Sequence, residues 1–173
     1  GRVVIDNVSA TLETGKCNLI IGSSGSGKTV LMKCIVGLFE PDAGDVIYDD
    51  QNFTSMNTKD KKAMSQQIGM LFQGSALFDS MTVEENIMFP LDMFSNNTKG
   101  EKQKRVDEVL DRVHLTDAHK KFPAEISGGM KKRVGIARAI VLNPKYLFCG
   151  SSIISARLLF PASVTRRRTP ATP

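Results

Sequence analysis

The clearest chemistry in this chain lies in one short run. Gly22-Ser23-Ser24-Gly25-Ser26-Gly27-Lys28-Thr29 satisfies the pattern G-x-x-x-x-G-K-[ST]. Glycines there let backbone N–H groups converge on phosphate oxygens with no Cβ in the way. The helix expected to open at the end of the loop turns its positive dipole end to the same point. Lys28 would bridge the β- and γ-phosphates of a nucleotide, and the Thr29 hydroxyl would ligate Mg²⁺. A guanine site would add the string N-K-x-D. The nearest run, Asn57-Thr58-Lys59-Asp60, has the wrong order.

Two further places could touch the same ligand. Ile126-Ser127-Gly128-Gly129-Met130 lies where a helix is expected to begin. Ser127 is an N-cap candidate, and the two glycines would expose backbone donors at a second anion site. The same residues also make an ordinary serine cap. Gln73 follows an apolar strand, Ile68–Phe72. An amide leaving a strand at its C-terminal edge sits where ligands bind in α/β sheets, within reach of Mg²⁺ or an attacking water. Taken alone, it is a loop residue.

The elements that must position these residues can be read from periodicity. Lys16–Ile21 reads as a buried strand before the glycine loop. Val30, Leu31, Cys34, Ile35 and Leu38 recur at helical spacing after it, and Gly37 and Pro41 bracket the end of that helix. Gly44–Tyr48 reads as a short strand and Lys59–Gln66 as a helix. Thr82 and Glu85 stand in capping-box position for a helix from Val83. Glu101–Val113 is amphipathic, with Val106, Val109, Leu110 and Val113 on one stripe. Gly128–Leu142 is a third such helix, with Met130, Val134, Ala137 and Ile140 inward and Lys131, Lys132, Arg133 and Arg138 mostly outward. Lys145–Cys149 is another buried strand. Strands alternating with helices imply an α/β fold with a largely parallel sheet.

Composition narrows the class. The chain has 173 residues, enough for one ordinary core. No apolar run reaches the ~18 residues of a membrane-spanning helix. It begins with Gly1 and shows no signal peptide, so it reads as a piece of a longer reading frame. Residues 1–125 carry 14 Lys/Arg and 18 Asp/Glu, whereas residues 126–173 carry 9 Lys/Arg and no acid. A basic end can bind nucleic acid or anionic lipid, but no interleaved aromatics follow Phe160, so no nucleic-acid partner is expected. Cys17, Cys34 and Cys149 are scattered and odd in number, which argues against a disulfide framework or zinc site and for a reducing cytosol. His114 and His119 are not at metal-pair spacing and read as surface residues.

Together these residues resemble the nucleotide-binding domain of ATP-binding cassette (ABC) transporters, over residues 1 to 149. Gly22–Thr29 is similar to the family's Walker A, Gln73 to its Q-loop, and Ile126–Met130 to its L-S-G-G-Q signature, with Ile for Leu and Met for Gln. Gly69 to Ile87, Phe89-Pro90-Leu91 and Met130 look like the ATPases of the maintenance-of-lipid-asymmetry importers, which implies phospholipid traffic. The resemblance implies a P-loop NTPase fold, a RecA-like core with an ABC helical subdomain, here incomplete. Residues 1–78 would be core, 79–127 helical subdomain, 128–149 the signature helix and return strand, and 150–173 a tail foreign to the family.

It also implies ATP and Mg²⁺ as cofactors, with Gly22, Ser23, Ser24, Gly25, Ser26, Gly27, Lys28 and Thr29 on ATP and Thr29 and Gln73 on Mg²⁺. A second nucleotide-binding domain would pair head to tail, so that Ser127, Gly128, Gly129 and Met130 face the partner's nucleotide. Permease subunits would hold the protein at the cytoplasmic face of the inner membrane.

The sequence departs from that family after Cys149. Gly150 and Ser151 stand where an Asp-Glu pair is expected, and no acid follows. The Asp would support Mg²⁺; the Glu would polarise the attacking water, a contribution of ~10²–10⁴-fold. Very weak hydrolysis is therefore expected, with weak nucleotide binding surviving if the core folds. A non-hydrolysing nucleotide-binding pseudoenzyme and a nucleic-acid-associated ABC ATPase are the alternatives. No single-base shift at Gly150–Ala156 restores the expected Glu-Pro, so a larger rearrangement or a genuine alternative end is expected there. Ile153–Val164 could form a surrogate helix, against Arg157 and Pro161.

Overall fold

Short-range signals decide most of the elements in the computed structural model, which describes residues 3–13, 15–72, 74–150 and the backbone of 163–164. In chain order they are β1 (Ala10–Thr11), α1 (Lys28–Ile35), β2 (Ile47–Tyr48), β3 (Gln51–Asn52), α2 (Thr58–Ser65), β4 (Ile68–Leu71), α3 (Val83–Phe94), α4 (Lys99–Arg112), α5 (Gly128–Ile140), β5 (Tyr146–Cys149) and β6 (Ser163–Val164). Two 3₁₀ turns, Thr116–Ala118 and Pro123–Glu125, join α4 to α5. The chain divides into two compact units, one of Gly1–Ile68 with β6, the other Gly69–Ile154.

In the first unit the strands run in the order β1-β6-β2-β3. β2 and β3 form a tight hairpin, Ile47 opposite Asn52 and Tyr48 opposite Gln51. Its central residues Asp49 and Asp50 have φ of 44° and 66°, the sign that a two-residue type I′ turn demands. Helix α1 ends on Gly37 in a Schellman motif: Leu38 N donates to Lys33 O at 2.8 Å and Gly37 N to Cys34 O at 3.1 Å. The core gathers Ile35, Val46, Tyr48, Phe53 and Met64. Tyr48 is fully buried, and its hydroxyl donates to Ile35 O at 2.8 Å.

In the second unit β4 pairs with β5, and α3, α4 and α5 pack on one another. Val83, Ile87 and Leu91 of α3, Val106, Val109 and Leu110 of α4, and Val134 and Ala137 of α5 form the centre of that core. Thr82 and Glu85 make the expected capping box, and Thr98 and Glu101 make a second at the start of α4. The arginines of the packed helices close each other's ends. Arg105 of α4 donates to Val141 O at 2.8 Å and Ile140 O at 3.1 Å, at the end of α5. Arg133 of α5 donates to Val113 O at 3.1 Å and His114 O at 2.9 Å, at the end of α4. Each guanidinium meets the negative pole and orphan carbonyls of its neighbour.

Three expectations are corrected here. Lys16–Ile21 is not a buried strand: it has no strand conformation, and Leu19 and Ile21 are 69% and 83% exposed. An apolar run becomes a strand only where neighbouring backbone takes its N–H and C=O groups, and among the described residues no strand pairs with it. The sheet of the first unit is antiparallel in its pairings β1–β6, β2–β3 and β2–β6, not parallel. Arg133 and Arg138 fold back onto backbone carbonyls instead of pointing outward. The run expected as a surrogate helix ends in strand β6, and its residues 153–162 lie outside the described residues, as do Gln73 and Ser151. Among the described residues no helix is long and apolar enough to cross a membrane.

Candidate nucleotide-binding site

The glycine loop turns because two of its residues take left-handed backbone. Gly25 and Gly27 have φ of 78° and 86°. Gly27 is also the N-cap of α1, with no side chain closing the helix end. A Cβ on Gly27 would sit 2.9 Å from Val4 O, so glycine is required there twice over. The uncapped first turn of α1 leaves amide donors for an external acceptor.

Lys28 reaches back into the turn. Its Nζ donates to Gly22 O at 2.6 Å, to Ser23 O at 2.6 Å and to Ser26 Oγ at 3.3 Å. An ammonium has three protons, and all three have loop acceptors. A phosphate approaching the loop would therefore meet a positive centre already at the middle of the turn, and would take over one or more of those protons. Residues 22–26 and Thr29 are exposed, while Gly27 and Lys28 are half-buried. Thr29 follows Lys28 in the first turn of α1. Among the described residues no group of three His, Cys, Asp or Glu side chains could hold a metal unaided. Thr29 offers one exposed hydroxyl oxygen there, which would suit Mg²⁺, a cation that takes one or two protein oxygens and completes its shell with phosphate oxygens and water.

The second motif opens α5. Ser127 is its N-cap, and its Oγ accepts from Met130 N at 3.2 Å. The plain cap is thus made, and the Ser127 hydroxyl proton is left to donate outward. Gly128 and Gly129 are exposed. A Cβ on Gly128 would meet nothing within 4 Å, and one on Gly129 only Ser127 Oγ at 3.8 Å. Backbone strain does not ask for glycine at either position; open access to the helix end is what the pair provides. Met130 is half-buried and packs against the core of its unit.

The glycine loop belongs to the first unit and Ser127–Met130 to the second. Gly150 closes β5, its N–H donating to Leu71 O at 2.8 Å, so glycine stands at the strand end where an acid was expected. The loop after β4 is tied to α3 by Asn86, which is fully buried. Its Oδ1 accepts from Phe78 N at 2.8 Å, and its Nδ2 faces Phe78 O, Met81 O and Thr82 O. Neither Asn86 nor Arg138 emerged as a positioning residue from the sequence. The signal for Asn86 is a polar residue inside the apolar run Val83–Leu91.

Comparison with known proteins agrees with this geometry. Residues 5–150 match the family model described as ABC transporter. The methionine import ATP-binding protein MetN 1 of Pseudomonas putida is 43% identical over 145 residues, covering 84% of this chain and 43% of its own length. MetN of Carboxydothermus hydrogenoformans is 45% identical over 145 residues, with the same coverage of 84% and 43%. The chain spans less than half the length of these curated relatives. Among solved structures, the dimeric post-hydrolysis state of the ATP-binding cassette MJ0796 bound to ADP and Pi is similar at TM-score 0.77 and 29% identity, covering 84% of this chain and 65% of that one. The fold is therefore that of ABC ATPase cassettes, an α/β P-loop NTPase fold of which this chain covers part. The named relatives are described as methionine import ATP-binding proteins, not as ATPases of lipid-asymmetry importers, the subgroup expected from residues 69–91 and Met130.

Proposed function

The chain belongs to the ABC transporter family, and on that premise we propose that it is the ATP-binding part of a transporter, taking Mg·ATP on Gly22–Thr29. The observation that carries this reading is the Lys28 ammonium held inside a glycine turn at the uncapped start of α1. The exposed amides of that turn would take phosphate oxygens, Lys28 would bridge the β- and γ-phosphates, and Thr29, with Gln73, would help hold Mg²⁺. Bound Mg²⁺ would neutralise phosphate charge; the chain's own part is to orient the phosphates.

Ser127, Gly128 and Gly129 would serve a nucleotide held by a second nucleotide-binding domain in a head-to-tail dimer. The dimeric structure of the similar MJ0796 cassette supports pairing of two such domains. Permease subunits would place the protein at the cytoplasmic face of the inner membrane. The relatives' names favour methionine as the cargo of the whole transporter. Restored methionine uptake in a strain lacking its own importer ATPase supports that cargo, whereas a change in outer-membrane lipid asymmetry alone contradicts it.

Gly150 at the end of β5 supports weak or absent turnover, because a glycine can neither hold Mg²⁺ nor orient water. The chain would then bind without cleaving, which makes a non-hydrolysing nucleotide-binding protein the second reading. Saturable binding of a fluorescent ATP analogue, displaced by ATP and dependent on Mg²⁺, together with phosphate release at background level, is the expected result. Turnover like that of an intact cassette overturns the hydrolysis part. Failure to bind overturns the whole.

A further inference from the structure

The residues after β4 run against local backbone preference. Gly74, Ser75 and Ala76 have φ of 79°, 68° and 44°, a region that L side chains enter reluctantly. Such a run persists only where its surroundings over-determine it. Here Arg138 of α5 grips the loop: Nη2 donates to Ser75 O at 2.7 Å and Nη1 to Ala76 O at 3.0 Å. The guanidinium also lies 5.8 Å from the centre of the Phe78 ring. One turn back on the same helix, Gly135 admits the loop, since a Cβ there would stand 3.2 Å from Ser75 Cβ. Ser75 is only 3% exposed. Among the described residues no carboxylate pairs with Arg138, and burial lowers its pKa from the ordinary arginine value. Arg138 is half-buried, and its two carbonyl bonds fix the guanidinium at the loop.

We propose that Arg138 is a positioning residue whose planar fork, spanning two successive carbonyls, holds residues 74–76 in left-handed backbone and couples the loop leaving β4 to helix α5. A displacement of α5, which starts at the Ser127 cap, is then passed to that loop. Lysine offers a point charge without the fork. The coupling goes beyond nucleotide binding at the glycine loop and stands or falls independently of it.

Hydrogen exchange on the full chain tests this, read on peptides spanning residues 74–82 and, as an internal control, 104–112 of α4. Arg138→Ala is expected to speed exchange at the 74–82 peptide about tenfold, at the level of local opening, while the α4 peptide changes less than about twofold. Arg138→Lys should recover less than half of the lost protection. Adding Ala76→Gly to Arg138→Ala should restore protection about threefold, because glycine adopts a φ of 44° freely. Ala76→Gly with Arg138 in place should change protection much less than it does beside Arg138→Ala, whereas mere space-filling by Arg138 gives the same change in both backgrounds. Equal acceleration of both peptides, full protection in Arg138→Lys, or no rescue by Ala76→Gly overturns the proposal. If Arg138→Ala does not fold, Arg138→Lys with and without Ala76→Gly carries the same test, rescue supporting the proposal and its absence overturning it.

Discussion

Replacing Asn86 with alanine should be one of the most damaging single changes in the second unit, although Asn86 touches no candidate ligand. The side chain is fully buried. Its Oδ1 accepts one bond, from Phe78 N at 2.8 Å. Its Nδ2 faces three carbonyls at 2.9–3.0 Å, but an amide nitrogen has only two protons, so two full bonds are shared among them. Three effective hydrogen bonds at about 1 kcal/mol each put the loss at about 3 kcal/mol, before any cost of the carbonyls left dry. The chain has no tryptophan, so urea unfolding is best followed by far-ultraviolet circular dichroism. The midpoint should fall with the slope unchanged. Asn86→Asp should be as damaging or worse, because it presents a buried charge to three carbonyls. A loss below about 1 kcal/mol in Asn86→Ala would refute the reasoning that this amide pins residues 78–82 to α3.

Other tests follow from the same accounting. Tyr48→Phe removes a buried hydroxyl bonded to Ile35 O at 2.8 Å, and should cost about 1–2 kcal/mol in urea unfolding. Arg105→Ala uncaps α5, where the guanidinium holds two carbonyls. About 2 kcal/mol should be lost, with Arg105→Lys recovering only part of it. Acid should destabilise the helix starts. Glu85 and Glu101 are held below the ordinary glutamate range, first by the backbone N–H of Thr82 and Thr98 and then by their hydroxyls. A lowered folded-state pKa stabilises the fold above the unfolded value, and that contribution disappears as pH falls through the folded one. Glu85→Gln with Glu101→Gln should flatten the acid limb of a stability-versus-pH curve, and an unchanged limb would contradict the assignment.

What the sequence made legible is what short-range chemistry decides. The capping box at Thr82 and Glu85, the stripe Val106–Val109–Leu110, the cap at Ser127 and the strand Ile68–Leu71 all form where expected. The failures share a cause, in that each depended on groups distant in sequence. The apolar run Lys16–Ile21 lacked a backbone partner among the described strands, so its composition alone could not make it a strand. Charge placed Arg133 and Arg138 outward by helical spacing, but spacing fixes only where the Cβ points. The long stem then carried each guanidinium to carbonyls of residues 113–114 and 75–76. Within the candidate site the glycine pattern and Lys28 were readable outright, because a phosphate loop is encoded in consecutive residues. That three loop oxygens take the Lys28 protons was not readable, because it depends on how the turn closes on Nζ.

Whether Lys28 and its glycine turn hold a nucleotide is tested most directly by calorimetric titration of Mg·ATP into the full chain and into Lys28→Ala. Lys28 makes charge-assisted contacts, and losing one to a phosphate costs about 1.5–3 kcal/mol, which is roughly tenfold to a hundredfold in affinity. Saturable binding by the full chain and a loss of that size in the variant are expected, with the circular dichroism of the two proteins alike. Binding of equal strength in both proteins, or none in either folded protein, would contradict nucleotide binding at this turn.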